Sequence, residues 1–186
     1  KIKLLNNLIE QFSSVVIGGA MANTFLLANN YNIGKSLVEK DLIQEANNIQ
    51  LKAKKSNCEL ILPTDVLCGK NIHDTNPVNC KIHEMSPEKM ILDIGENSTE
   101  FINNKIINSK MVLWNGPVGA FEFKPYDKAT NAIANVIKVN AKKLSIITLA
   151  GGGDTVSAIK NTNAEDGFNY ISNAGGAFLE WLEGKE

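Results

Sequence analysis

The chain lacks any apolar run long enough to cross a bilayer as a helix, and it lacks a charged leader followed by an apolar core. It also lacks an excess of either charge. Lys and Arg number 19 against 20 Asp and Glu, for a formal net charge of −1. No basic surplus points to nucleic acid, and no lysine run points to a membrane surface. Cysteine is scarce: Cys58, Cys68 and Cys80 are the only three. An odd number at spacings that fit no metal motif argues against a disulfide framework and for a reducing, cytoplasmic setting. The two histidines, His73 and His83, form no metal-ligand pattern with the cysteines and read as surface residues. No Gly-x-Gly-x-x-Gly follows any predicted strand, which disfavours a dinucleotide site of the dehydrogenase type. A first residue of Lys1 rather than Met leads us to expect a piece of a longer protein.

What remains is ordinary globular material, 44% hydrophobic over 186 residues, enough for one substantial core. It is organised around Ser145-Ile146-Ile147-Thr148-Leu149-Ala150-Gly151-Gly152-Gly153-Asp154-Thr155. The short β-branched run predicts a buried parallel strand, the glycines a tight turn, and Val156, Ala158 and Ile159 a helix. Asp154 stands where an N-cap would. A glycine turn feeding a helix start gathers free N–H groups and the positive dipole end, which suits an anion. A carboxylate beside a phosphate needs a cation between them, and Mg²⁺ bridging Asp154 and a nucleotide phosphate is the simplest arrangement. The alternative is that the glycines only turn the chain and Asp154 only caps the helix.

Taken in order, residues 1–12 predict an amphipathic helix and 14–17 a buried strand. Gly18-Gly19-Ala20-Met21-Ala22 reads as a second glycine turn, with a short helix over 23–28. The segment 29–36 ends in Gly-Lys-Ser like a P-loop, but Asn29 replaces the first glycine and no strand precedes it. Gly34 is therefore expected to end the preceding helical segment. A helix follows over 38–53, a strand over 58–62, an extended piece over 64–67 and an edge loop or hairpin over 71–85. Strands are expected at 90–95, 111–114 and 168–171, and helices over 98–106, with Ser98 as N-cap, over 126–139 and over 177–182. Such alternation calls for an α/β fold, a parallel sheet with helices on both faces. In such sheets the ligand crevice lies beyond the strands' carboxyl ends. Gly18-Gly19, Gly95, Gly116 with Gly119 and Gly151-Gly152-Gly153 all fall there.

Four segments together, Gly18-Gly19-Ala20-Met21-Ala22-Asn23-Thr24-Phe25, Leu62-Pro63-Thr64-Asp65, Trp114-Asn115-Gly116-Pro117-Val118-Gly119-Ala120-Phe121-Glu122 and Gly151-Gly152-Gly153-Asp154-Thr155, resemble the carboxyl-terminal domain of bacterial phosphoglycerate kinases. The resemblance runs in order over nearly the whole chain. It implies a Rossmann-like three-layer domain over residues 1–186 that binds ADP or ATP with Mg²⁺. It also implies an absent amino-terminal domain for 3-phosphoglycerate or 1,3-bisphosphoglycerate. The implied activity is phosphoryl transfer between the acyl phosphate and ADP, in a cytoplasmic monomer with no nucleic-acid or membrane partner, the fragment alone being inactive. Residue by residue, Gly18 and Gly19 would flank the adenine, Gly95 would line the pocket, and Glu122 would accept hydrogen bonds from the ribose. Asn115 and Pro117 join this nucleotide-binding set. Gly152, Gly153 and Thr155 would hold phosphates and Asp154 the metal. Lys1 would contact a phosphate, and Gly175 and Gly176 would face the transferring group. Lys1, Gly152 and Gly175 are the residues this assigns to catalysis. The sequence departs from the family at Asn173, Ala174 and Phe178, where Thr, Gly and Ser are usual, and at Ala20. Two other readings stay open: a catalytically silent nucleotide-binding or interaction module of the same fold, and an unrelated sugar or acyl kinase.

Overall fold

The computed structural model describes residues 2–172. Helix α1 (Ile2–Gln11) leads into β1 (Ser14–Val16), then α2 (Gly19–Ala28), α3 (Ile43–Lys55) and β2 (Glu59–Ile61). Next come β3 (Asp65–Gly69), β4 (Val78–Lys81) and β5 (Met90–Ile94). The rest is α4 (Glu96–Ile107), β6 (Met111–Trp114), α5 (Lys128–Asn140), β7 (Ile147–Gly151), α6 (Gly153–Asn161) and β8 (Tyr170–Ser172). Strand β1 pairs parallel with β2, and β6, β7 and β8 form a second parallel sheet in that order. The expected α/β architecture is therefore present. Between these sheets in sequence lies an antiparallel one, β4-β3-β5; the expected edge segment 71–85 supplies only β4, whose hairpin partner β3 lies ahead of it at Asp65–Gly69.

Alternation along the strands sets the layers. Val15 and Ile17 bury against Leu5, Ile9, Phe25, Ala46 and Ile49 of α1, α2 and α3. On β6, Trp114 and Val112 face the larger core with Ile102, Ile106, Ile133 and Ile137 of α4 and α5, while Leu113 packs on Leu4 and Leu8 of α1. Helices thus cover both faces of β6. Fully burying side chains such as Phe25 or Ile49 is worth about 2–3 kcal/mol each.

Four local expectations need correction. Helix α2 begins at Gly19, not Asn23, because an extended Gly18 and a left-handed Gly19 at φ 61° make the whole turn and small residues continue the helix. Helix α3 begins at Ile43 rather than Val38. Before it, buried α2 side chains hold the backbone: Asn23 Nδ2 donates to the Leu37 carbonyl at 2.9 Å, and Thr24 Oγ1 accepts from the Glu39 N–H at 3.3 Å. Gly34 does not end a helix; α2 stops at Asn29, and Asn30 takes the left-handed turn at φ 64°. Gly34, at φ +57°, instead bridges Met90, where a Cβ would overlap the Lys89 carbonyl. Neither does Ser98 cap α4: Gly95 is the N-cap.

The donors at the α4 start turn to another strand. Asp65, 1% exposed at the head of β3, accepts from the Asn97 N–H at 3.0 Å, the Ser98 N–H at 2.8 Å and the Ser98 hydroxyl at 2.5 Å. Burial pushes this carboxyl up, but those bonds and one from Asn79 outweigh it and hold it below the ordinary value. Its contribution is therefore full above the unfolded pKa and is lost as pH falls through the acid range. We expect Asp65→Ala to cost about 2–4 kcal/mol in urea unfolding at pH 7, since it leaves buried donors unpaired. Asp65→Asn should cost less, and its deficit should shrink as pH falls toward 3.

Candidate nucleotide site

The site is built on the loop after β6. Trp114 closes it from below, its indole N–H donating to the Gly116 carbonyl at 2.7 Å while the ring stacks on Phe168. Three other segments then grip the loop. From β1, the Gly19 N–H donates to the Val118 carbonyl at 2.9 Å, and a Cβ at Gly18 would sit 2.9 Å from Val118. From α6, Thr155 Oγ1 accepts from the Gly116 N–H at 2.6 Å. From β5, the Leu92 carbonyl accepts from the Ala120 N–H at 2.7 Å, and Asp93 lies so close that a Cβ on Gly119 would overlap its carboxylate. Residues 18–19, 115–120 and 151–155 therefore meet at one rim, at the carboxyl ends of β1, β6 and β7.

The glycine turn after β7 has the geometry an anion needs. Gly152 sits at φ +96° and is the N-cap of α6, so Asp154 occupies the first turn of the helix rather than the cap expected for it. A side chain there would be strained and would press within 2.9 Å of Asn115 Oδ1. Among the described residues nothing lies within 4 Å of where a Gly153 Cβ would be, so none of them covers the helix start. Its first-turn N–H groups have no intrahelical partners, and Asp154 is exposed beside them. Glu122 is exposed on the same loop as Asn115 and Pro117.

Two expected site residues take on holding roles. Thr155 is fully buried and its hydroxyl engages Gly116. Gly95 is buried where a Cβ would overlap the Asp65 carboxylate, and its N–H donates to the Asp65 carbonyl at 2.8 Å. Lys1, Gly175 and Gly176, like Asn173, Ala174 and Phe178, lie outside the described residues.

Asp93 was not singled out from the sequence, although a charge inside Met90-Ile91-Leu92-Asp93-Ile94 is a signal in itself. It is 1% exposed, and its carboxylate accepts from the Ala129 N–H in the first turn of α5 at 3.0 Å and from its own neighbour Ile94 at 2.9 Å. Desolvation dominates those two bonds and, with Asp127 nearby, raises the carboxyl from 3.8 to about 7. Tyr126 and Thr130 complete the support. The Tyr126 hydroxyl donates to the Asp74 carbonyl at 2.6 Å, and Thr130 Oγ1 accepts from the Val118 N–H at 3.2 Å.

A carboxyl raised on folding favours the folded chain below its unfolded pKa and loses that contribution as pH rises to the folded value. Between pH 5 and pH 8, the unfolding free energy of wild type should fall by about 3 kcal/mol relative to Asp93→Asn, read from denaturant midpoints. Gly119→Ala should cost about 2–4 kcal/mol by the same measurement, the overlap with Asp93 forcing the loop outward.

The sequence matches the phosphoglycerate kinase family model over residues 1–185. The phosphoglycerate kinase of Rhodospirillum centenum is 43% identical over 187 residues, covering 100% of this chain and 47% of that protein. That of Brucella melitensis is 45% identical over 186 residues, with the same two coverages. Among solved structures, phosphoglycerate kinase from Coxiella burnetii superimposes with a TM-score of 0.95 at 36% identity, over 100% of this chain and 47% of that one. The Pyrococcus horikoshii enzyme, at a TM-score of 0.81 and 23% identity, shares the fold. The chain spans about half the length of the curated relatives it matches. With the glycine loops after β1, β6 and β7 gathered together and a family match over nearly every residue, this chain belongs to the phosphoglycerate kinase family.

Proposed function

We propose that residues 1–186 form the nucleotide-binding domain of a two-domain kinase. Its partner domain would hold 3-phosphoglycerate or 1,3-bisphosphoglycerate. The reaction would move a phosphoryl group between the acyl phosphate and ADP, forming ATP in glycolysis. The observation that carries this reading is the start of α6: a positive-φ Gly152, a Gly153 that no described residue obstructs and N–H groups without intrahelical partners meet the Asn115–Glu122 loop. Few other arrangements place so many fixed donors on one anion without a basic side chain.

The α6 N–H groups would hold the terminal phosphates, Gly18 and Gly19 would face the base, and Glu122 would accept from the ribose hydroxyls. An exposed carboxylate at the helix start is repelled by a bare phosphate, so the donor set at Asp154 fits a hard divalent cation shared with the nucleotide. Mg²⁺ bound there would neutralise charge on the phosphate oxygens during transfer. No described side chain need act as a base, because the attacking carboxylate or ADP oxygen is already a nucleophile. What the chain contributes is alignment. Thr155 and Asp93 hold the loop from opposite sides, so that the donors are fixed before the nucleotide arrives.

A calorimetric titration of the folded chain should show binding of MgADP or MgATP, with no turnover of 1,3-bisphosphoglycerate. A folded sample that binds no nucleotide would overturn the proposal. Asp154→Ala should weaken MgADP binding by about 1–3 kcal/mol while leaving metal-free ADP much less affected. An equal loss in both titrations would remove Asp154 from the metal role.

A further inference from the structure

Cys68 and Cys80 lie outside the nucleotide rim, on β3 and on the edge strand β4. In the register, Val66 faces Cys80 and Cys68 faces Val78, which puts the two cysteines diagonally across one face of the hairpin. Their Sγ atoms are 3.5 Å apart, and the Cys68 thiol also lies 3.3 Å from the Val78 carbonyl. Cys68 is 1% exposed within the cluster of Leu26, Ile33, Val66 and Ile82, whereas Cys80 is half-buried. The third cysteine, Cys58, is buried in a different cluster, with Val15 and Ile49.

We propose that Cys68 and Cys80 form a reversible redox pair, with a small disulfide such as glutathione disulfide as the oxidant. The two positions divide the work. Cys80, the more exposed of the two although it too packs against the cluster around Cys68, attacks one sulfur of glutathione disulfide as its thiolate. That S–S bond breaks, glutathione leaves as its thiolate, and Cys80 carries a mixed disulfide. Cys68, which the oxidant does not reach, then loses its proton to solvent and attacks the Cys80 sulfur. The Cys68–Cys80 bond forms and a second glutathione thiolate leaves. Two protein thiols are oxidised and one glutathione disulfide is reduced to two thiols, so atoms and electrons balance.

The geometry makes the step reversible. Diagonal residues of an antiparallel pair have Cα atoms about 7–8 Å apart in a regular sheet, beyond the usual span of a disulfide. Closure therefore shifts β4 against β3, which β4 permits because β3 is its only strand partner among the described residues. A bond formed at that cost is reduced more readily than an unstrained one. Desolvation, reinforced by the Cys80 thiol, pushes Cys68 up to about 12, which leaves the first attack to Cys80. The closed ring would span the β3–β4 connection, where the Asp74 carbonyl holds the Tyr126 hydroxyl just before α5.

The test is peptide mapping and intact mass of the folded protein after incubation with glutathione disulfide. Wild type and Cys58→Ser should lose two hydrogens, retain no glutathione and yield a Cys68–Cys80 cross-linked peptide that dithiothreitol reopens. Cys68→Ser should stop at the Cys80–glutathione adduct, and Cys80→Ser should stay unmodified. Amide exchange across 66–81 should slow at least several-fold in oxidised wild type. Retention of glutathione on wild-type Cys80, a cross-link that includes Cys58, or no modification of wild type would each overturn the proposal.

Discussion

The loop between Trp114 and Glu122 depends on being held from several directions at once, and the rest of the site depends on that loop. It forms no regular structure, so its polar backbone must find partners one by one. It finds them in Gly19, Thr155, Leu92 and Thr130, which belong to four different elements. Each contact brings a strand or helix end to the same place. The rim is thus less a property of any single turn than of one irregular segment that four elements must satisfy together.

Strands were the most legible part of the sequence. Runs such as Ser14-Val15-Val16-Ile17 and Met111-Val112-Leu113-Trp114 are short, largely apolar and followed by glycine within two residues, and they fold where that pattern puts them. Helix starts were least legible because their partners come from afar. The Asp65 carboxylate that serves α4 stands on another strand, and nothing local to Ser98 announces it. Likewise the backbone of 37–39 follows buried Asn23 and Thr24 instead of its own helical propensity. The glycine loops could be read as a group from their common position after strands. Which glycines touch ligand space and which only make room for a neighbour could not. Gly95 yields to Asp65 and Gly119 to Asp93, while no described residue crowds Gly153.

Two buried acids show how environment decides chemistry. Both Asp65 and Asp93 are closed to solvent, yet hydrogen bonds to Asp65 overcome its burial and those to Asp93 do not. The difference lies in depth and in donors: Asp93 is packed more deeply, has Asp127 nearby and accepts from two backbone N–H groups, whereas Asp65 receives a hydroxyl and an amide side chain besides backbone N–H groups. One acid is committed to a charge and anchors a helix. The other is balanced between its two forms at the base of the loop that holds the proposed ligand.

That balance has a thermodynamic consequence for any event that shifts Gly119 against Asp93. Moving the loop alters how well water and backbone dipoles reach the carboxyl, and a group near half-occupancy answers by taking up or releasing a fraction of a proton. The heat recorded for such an event would then include the ionisation enthalpy of the surrounding buffer, and apparent enthalpies in phosphate and in Tris would diverge even where affinities agree.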